Sequence, residues 1–386
     1  MSKSVHSIAK KEGPSAGNEG DFPLDEAVVQ GKSLQALPEG SKVLSAHSYG
    51  SSAWTITARL NVLLPSGVEK KFFLKIATEE PGRVMMEGEF NSMSSLYQTS
   101  PGFIPKPLTW GKFKMKAPET YFFLCDFINM TNDMPDPVQF CAKLAELHST
   151  SESPTGMFGF HISTCHGRFA QEVAWDPSWT NFFTKLLRAA LVIEKQECSP
   201  WPEFEAVAER TLSHVIPRLL GALEEDGRQI KPSLIHGDLW EGNVGTDLSN
   251  GNVYIFDAGA YYAHHEMEIG MWRCERHKIK SREYKRQYLR NMTVSEPAEE
   301  FEDRNRLYCI KMNIIHSAHH PGSIVRETAY NDMCYLVDKY APYPTGEEPP
   351  RSKVQGEVPA TIWQGGDSYV RQADNWNNPN TPALSV

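Results

Sequence analysis

The chain has no Cys-x-x-Cys pair: its seven cysteines, at positions 125, 141, 165, 198, 274, 309 and 334, are scattered. That spacing argues against a disulfide framework and suits a reducing compartment. Cys165 lies near His161 and His166, but no tight pairing supplies a fourth ligand, so packed or surface residues are expected there rather than zinc. No apolar run approaches the length needed to cross a bilayer. Met1 to Asp21 has neither an apolar core nor an arginine, which argues against a secretory signal or a mitochondrial presequence and makes the cytoplasm the expected location. Basic charge is also scarce: 39 Lys and Arg against 48 Asp and Glu give a net charge of -9. Nucleic acid and anionic membrane are therefore not expected as partners. A local basic run from Arg273 to Arg290 reads first as a solvated helix face and second as a phosphate-binding or docking face. There is no internal repeat and no Gly-x-Gly-x-x-Gly loop.

What is present is the run Leu234-Ile235-His236-Gly237-Asp238-Leu239-Trp240-Glu241-Gly242-Asn243, followed by an apolar strand ending in Ile255-Phe256-Asp257. Phosphoryl transfer asks a protein mainly to position an alcohol and to hold Mg²⁺ against phosphate oxygens. An Asp that takes the hydroxyl proton, an Asn five positions on that binds Mg²⁺, and a second Asp beyond a hairpin that also binds Mg²⁺ make such a site. Asp238, Asn243 and Asp257 fill those places. His-Gly-Asp stands where protein kinases carry His-Arg-Asp, which points to kinases of small molecules. Asn250-Gly251 is expected to form a tight two-residue hairpin turn with positive φ angles, bringing Asp257 back beside Asn243. The competing reading is that Asp238 and Asn243 are ordinary turn residues.

A kinase site also needs a cation for the α and β phosphates and a carboxylate to hold it. Thr55 to Leu64 and Lys71 to Ile76 read as strands, with Phe72, Leu74 and Ile76 on one face and Phe73 and Lys75 on the other. A lysine in such a strand needs a partner, so Lys75 is the candidate phosphate ligand and Glu89 its partner, with Glu87 competing. A solvated edge-strand lysine is the alternative. Small residues around Gly50 and Ser51 would let backbone N–H groups approach ATP phosphates, although an ordinary β-turn is nearly as good a reading. Tyr121 to Phe127 reads as a buried strand ending at a hinge, where backbone groups of Cys125, Asp126 and Phe127 would meet the adenine.

These patterns predict an α+β chain with a bilobal, protein-kinase-like fold: a tail over 1–21, a small β-rich lobe over 22–126, a larger helical lobe over 127–341 and an extended tail over 342–386. Helices are expected at Gln139 to His148, Ser178 to Gln196, Pro202 to Glu225, Glu268 to Tyr288, Glu296 to Ser317 and Ile324 to Tyr340. Trp363 and Trp376 would anchor the last segment locally.

Several ordered segments make the chain resemble the fructosamine-3-kinase (ketosamine-3-kinase) family, including fungal protein-ribulosamine 3-kinases. They are Phe73-Leu74-Lys75, Glu87-Gly88-Glu89, Phe158-Gly159-Phe160-His161 with Cys165, Trp179 with Phe182-Phe183, the His236 to Gly245 loop, and Phe256-Asp257 through Tyr261-Tyr262 to His264-His265-Glu266-Met267-Glu268. The resemblance implies transfer of the ATP γ-phosphate to the 3-hydroxyl of a ketosamine, on a glycated protein or a small amine, giving an adduct that decomposes and frees the amine. It also implies that Glu268 braces the catalytic loop, with a helix N-terminal acid as the alternative. His236, Trp240, His264, His265 and Glu266 are the candidate substrate-binding set; a capping role for the two adjacent histidines is equally open. Two departures stand out. Asp257-Ala258-Gly259 replaces the usual Asp-Pro-Ala, and Ile269 to Arg273 differs from animal and bacterial members. The other readings are a kinase of the same fold acting on an aminoglycoside, choline or a secondary metabolite, and a nucleotide-binding pseudokinase.

Overall fold

In the small unit, alternation of apolar and polar residues builds a five-stranded antiparallel sheet, in the order β1-β2-β3-β5-β4. The strands are β1 (Lys42–Ser48), β2 (Ile56–Leu63), β3 (Glu69–Thr78), β4 (Pro107–Lys112) and β5 (Thr120–Asp126). Inward positions two residues apart, Ala58, Leu60 and Val62 on β2, Phe72, Leu74 and Ile76 on β3, and Phe122 and Leu124 on β5, pack with Phe113 as its core. The computed structural model describes residues 37–50, 52–113, 118–131, 133–346 and 351–352. Ser51, the expected N-terminal tail, Trp363 and Trp376 lie outside the described residues. The chain divides into two compact units, Met1–Met86 with Pro107–Ile128, and Glu87–Lys106 with Asn129–Val386. The boundary falls inside helix α1 (Glu79–Thr99).

The larger unit is mainly helical. Helix α2 (Pro137–Thr150) begins where Asp136 accepts a 2.7 Å hydrogen bond from Gln139 N, with Pro137 in the first turn. Helix α3 (Trp179–Glu197) is capped by Ser178 and buries Trp179, Phe182, Phe183, Leu186 and Leu187 on one side. The single helix expected over Pro202 to Glu225 is instead α4 (Pro202–Arg210), a wide π turn (Thr211–Val215) and α5 (Ile216–Gly221). Pro217 explains the break, because it has no N–H to give and its ring crowds the carbonyl four residues back.

The helix expected from Glu268 to Tyr288 also needs correction. Only α6 (Arg282–Asn291) is α-helical; His265–Arg273 and Lys278–Lys280 are 3₁₀ turns. Every residue from His265 to Trp272 is buried. No solvent-facing stripe remains, and the side chains serve partners on all sides. Helix α7 (Phe301–His319) is buried almost all round, as a central helix must be, and α8 (Val325–Tyr340) packs beside it.

Short strands complete the larger unit. β7 (Cys165–His166) pairs with β8 (Phe169–Ala170), β9 (Ser233–Ile235) pairs with β12 (Tyr261–Ala263), and β10 (Val244–Asp247) pairs with both β11 (Val253–Ile255) and β6 (Met130–Thr131). The turn between β10 and β11 is longer than the two residues expected, and of the pair Asn250-Gly251 only Gly251 has positive φ, at 75°. Asp247 accounts for the wider loop: its carboxylate accepts 2.8 Å bonds from Ser249 N, Ser249 Oγ and Asn250 Nδ2. Among the described residues no helix is long and apolar enough to cross a membrane.

Leu74 is fully buried at the centre of the small sheet, whereas Leu44 on β1 is 49% exposed. Leu74→Ala is expected to cost about 2–5 kcal/mol in urea unfolding and Leu44→Ala well under 1 kcal/mol; equal losses would contradict this core.

Candidate active site

The catalytic-type loop leaves β9 through a sharp backbone reversal. Gly237 has φ of 82°, and a Cβ there would lie 2.5 Å from the Gly259 carbonyl oxygen. An arginine at this place, as in protein kinases, would meet both obstacles. Gly259 is equally constrained, since a Cβ on it would fall 2.1 Å from the Cys165 carbonyl oxygen. The replacement of Asp-Pro-Ala by Asp257-Ala258-Gly259 therefore permits a close backbone approach.

Glu268 grips this loop from below. One carboxylate oxygen accepts from His236 N and the other, at 3.1 Å, from Gly237 N. His148 Nε2 lies 3.5 Å from the same carboxylate, which is 1% exposed. Burial pushes the Glu268 carboxyl up, but the contact with His148 and the charge-assisted bonds outweigh it and hold the group below its ordinary range. His236 adds a second tie: its Nε2 meets the Phe256 carbonyl at 2.8 Å and its Nδ1 accepts from Asp238 N at 3.3 Å.

These bonds bring the three motif residues together. Asn243 donates its side-chain N–H to the Asp238 carbonyl at 2.8 Å, and its own carbonyl accepts from Phe256 N at 3.0 Å. Asp257 follows, exposed and with φ of 64°, a strained backbone for a residue with a side chain. Its charge reaches Asp238. Burial first and the Asp257 carboxylate second push the Asp238 carboxyl up to about 7, against the pull of Lys311 and Arg276. Two carboxylates sharing a neighbourhood, with an amide whose nitrogen is already engaged and whose oxygen remains, make a hard-oxygen donor set that fits Mg²⁺.

Behind Asp238 stands a group that sequence reasoning did not assemble. His166 Nε2 lies 3.4 Å from Asp238 Oδ1, and its Nδ1 lies 3.2 Å from the Lys311 ammonium. Lys311 donates at 2.7 Å to Gln171 Oε1, and Gln171 Nε2 donates at 3.2 Å to the Gly259 carbonyl. Lys311 was visible as the one charged residue within Tyr308-Cys309-Ile310-Lys311-Met312 on α7, a place where a lysine costs free energy without partners. The sequence reading makes His166 a packed or surface residue rather than a zinc ligand, and gives it no place at the site.

Four members of the expected substrate-binding set are placed in the protein's interior instead. His236 is fully buried and engaged as described. His264 is fully buried, bonded to Tyr308 Oη at 2.8 Å and Ser295 Oγ at 2.9 Å, and His265 bonds Tyr288 Oη at 3.0 Å. Glu266 is 0% exposed and forms a two-bond pair with Arg304, at 2.8 and 3.0 Å. With both histidine nitrogens of His264 and both Glu266 oxygens occupied, this cluster is packing architecture, neither substrate wall nor metal centre. Trp240 alone of the set stays half-buried, its ring 5.2 Å from that of His277.

In the small unit, β3 lies between β2 and β5, with Lys75 opposite Thr57 and Phe123. Lys75 is 5% exposed, so it is not an edge-strand lysine, whereas Lys70 is solvated and pairs with Asp126 at 2.8 Å. Cys125 is buried on β5, and Phe127 N donates to the Lys71 carbonyl at 3.4 Å while its ring meets Tyr49 edge-on. Gly50 follows β1 with φ of 73°. Glu89, on the part of α1 that belongs to the larger unit, is buried, while Glu87 is half-buried.

A family model for fructosamine kinases matches residues 54–332, well over half of the 386-residue chain. The chain belongs to the fructosamine kinase family. The match runs from β2 into α8 and takes in Lys75, Glu89, Asp238, Asn243 and Asp257, while Gly50 precedes it. A rice (Oryza sativa subsp. japonica) protein-ribulosamine 3-kinase, chloroplastic, is 30% identical over 204 residues, 53% of this chain and 56% of that protein. The chain thus spans about half the length of the curated relatives it matches first. A structure solved under the name fructosamine-3-kinase from Haemophilus somnus superposes with a TM-score of 0.62 at 17% identity, covering 81% of this chain and all of the other. A thermostable mutant of an aminoglycoside phosphotransferase, in ternary complex with AMP-PNP and hygromycin B, gives 0.52 at 14% identity over 77% and 94% of the two chains. These likenesses establish the protein-kinase-like fold.

Burial pushes the Glu266 carboxyl up, but His264 and Arg304 overcome it and hold it at about 2. Its stabilising effect is therefore complete above its ordinary value of 4.5 and is lost as pH falls toward about 2. Glu266→Gln should cost about 3–5 kcal/mol by leaving Arg304 buried and uncompensated. It should also flatten the acid side of the stability curve in that window. A variant of unchanged melting temperature and altered acceptor KM would restore a substrate role.

Proposed function

We propose that this fructosamine kinase family member catalyses ATP-dependent phosphorylation of the 3-hydroxyl of a ketosamine, a fructosamine or ribulosamine, on a protein or a small amine. The observation that carries the reading is the bonded loop joining Asp238, Asn243 and Asp257. In the proposed reaction the acceptor's hydroxyl gives its proton to the Asp238 carboxylate as the oxygen bonds the γ-phosphorus. The bond from that phosphorus to the β,γ-bridging oxygen breaks, and ADP leaves. An Asp carboxylate held beside the acceptor is the group that can take this proton as a general base. Asn243 and Asp257 would hold Mg²⁺, which when bound offsets charge on the phosphate oxygens. Lys75, buried on β3, is assigned to the nucleotide phosphates. The backbone of Gly50, Cys125, Asp126 and Phe127, with that of Ser51, is assigned to the nucleotide, and Trp240 to the acceptor.

The names of the fructosamine and ribulosamine kinases among the relatives favour a sugar-amine over an aminoglycoside as the acceptor.

The test is to incubate the enzyme with ATP, Mg²⁺ and a synthetic ribulosamine and to locate phosphate in the product by NMR. Phosphate on the 3-hydroxyl is expected, with Asp238→Asn about 10²–10⁴-fold slower and unchanged in melting temperature. Full activity in that variant, or phosphate elsewhere, would defeat the proposal. Lys75→Met is expected to raise the KM for ATP more than tenfold, and an unchanged KM would remove Lys75 from the nucleotide site.

A further inference from the structure

We propose that His166 is a positioning residue for Asp238, held in register by the buried Lys311–Gln171 pair. The inference rests on the reading of Asp238 as the base that takes the acceptor proton. Its ground is a continuous line of polar contacts. The Thr164 hydroxyl, at 3.2 Å, and the Gly259 carbonyl accept from the Gln171 amide, which fixes the amide's oxygen toward Lys311. Lys311 gives that oxygen a 2.7 Å bond and the His166 Nδ1 a 3.2 Å bond, and His166 Nε2 faces Asp238 Oδ1 at 3.4 Å. Lys311 is 1% exposed, Gln171 6% and His166 9%.

The direction of each bond follows from charge. An ammonium only donates, so His166 Nδ1 must accept and the ring proton must sit on Nε2. A second charge on the ring is opposed by burial and then by Lys311, with His319, Arg276 and His316 adding to it, so the imidazole stays neutral. A neutral Nε2–H then faces one oxygen of Asp238 at 3.4 Å, close enough to orient the carboxylate, and leaves the other for the acceptor's hydroxyl. Packing alone would not choose a lysine here, because a leucine or methionine fills the same volume without a desolvation cost. Burial lowers the Lys311 ammonium to about 8, and the charge that opposes this is that of Asp238. The line also ties the Asp238 loop to the segment after Asp257, since Gly259 is its far end.

The role is separable from structural support by a split in kinetic constants and by rescue. His166→Leu is expected to lower kcat at least 30-fold with the KM for ATP within twofold and an unchanged melting temperature. His166→Gln, which restores an N–H toward Asp238, should regain at least a third of wild-type kcat. Lys311→Met should lower kcat in the wild-type background and change it less than twofold in His166→Leu, because both act through one contact. A loss below threefold in His166→Leu, no rescue by glutamine, or fully multiplicative effects would overturn the proposal. If His166→Leu does not fold, ¹⁵N NMR of the wild-type imidazole decides: a single neutral Nε2–H tautomer is expected, and an Nδ1–H or charged ring overturns the assignment. That spectrum needs no acceptor. Absence of ketosamine phosphorylation by the wild-type enzyme would count against the reaction, while the tautomer would still judge the line of contacts.

Discussion

The grip of the buried Glu268 carboxylate on the N–H groups of His236 and Gly237 is the contact on which the site's geometry depends. Two backbone donors at a reversal have no helix or sheet to satisfy them, and in a buried place that deficit would be costly. An ionised acceptor satisfies both and fixes the direction in which Asp238 leaves β9. From there the ties are sequential. His236 joins Phe256 to Asp238, and Asn243 joins Asp238 to Phe256 from the other side. The hairpin of β10 and β11 thus closes on the loop, and Asp257 has little freedom in where it emerges. Its positive φ is the local cost of that closure.

A second buried carboxylate has a different task. Glu266 and Glu268 are two residues apart, both in the interior, yet one serves the Arg304 guanidinium and the other a pair of amides. Two residues apart on the 3₁₀ path of His265–Arg273, they point about 120° from one another and so reach separate partners. With three residues per turn and every side from His265 to Trp272 buried, the segment does not follow the 3.6-residue periodicity expected of it. His264 and His265 share the explanation: their nitrogens complete hydroxyl contacts from Tyr308, Ser295 and Tyr288, and burial holds both rings neutral, below their ordinary range.

What the sequence made legible was local and chemical. Asp238, Asn243 and Asp257 could be grouped because their spacing reflects a loop and a hairpin, both short-range objects. Lys75 could be separated from Lys70 and Lys71 because it lies inside the apolar run Phe72 to Ile76 rather than at the start of the strand; it is buried although alternation puts it on the same face as the exposed Lys71. The small sheet was readable from its alternation of apolar and polar residues. The interior of the larger unit was not. Residues such as His264 and Glu266 look like functional chemistry in a string of letters, since only their distant partners, Tyr308 and Arg304, reveal them as core. The same blindness worked in reverse for His166 and Lys311, which lie 145 positions apart yet sit 3.2 Å from each other. Pro217 interrupts the helix that the apolar periodicity of Pro202 to Glu225 predicts, because a missing N–H and a crowded carbonyl outweigh a favourable pattern of burial.

The contrast between those two histidine groups gives a rule for this fold. At His264 and His265 each imidazole meets hydroxyls that serve as donor or acceptor at will, so the cluster closes on itself and asks nothing of a ligand. At His166 the partners are an ammonium, which only donates, and a carboxylate, which when ionised only accepts. The ring between them has its tautomer imposed from one side and displayed on the other. The carboxylate at the end of this line has one oxygen faced by the imidazole, and its side chain remains partly exposed. Asymmetry between the two oxygens is what a base needs when only one of them is to receive a proton, and it distinguishes an interior that supports chemistry from one that merely fills space.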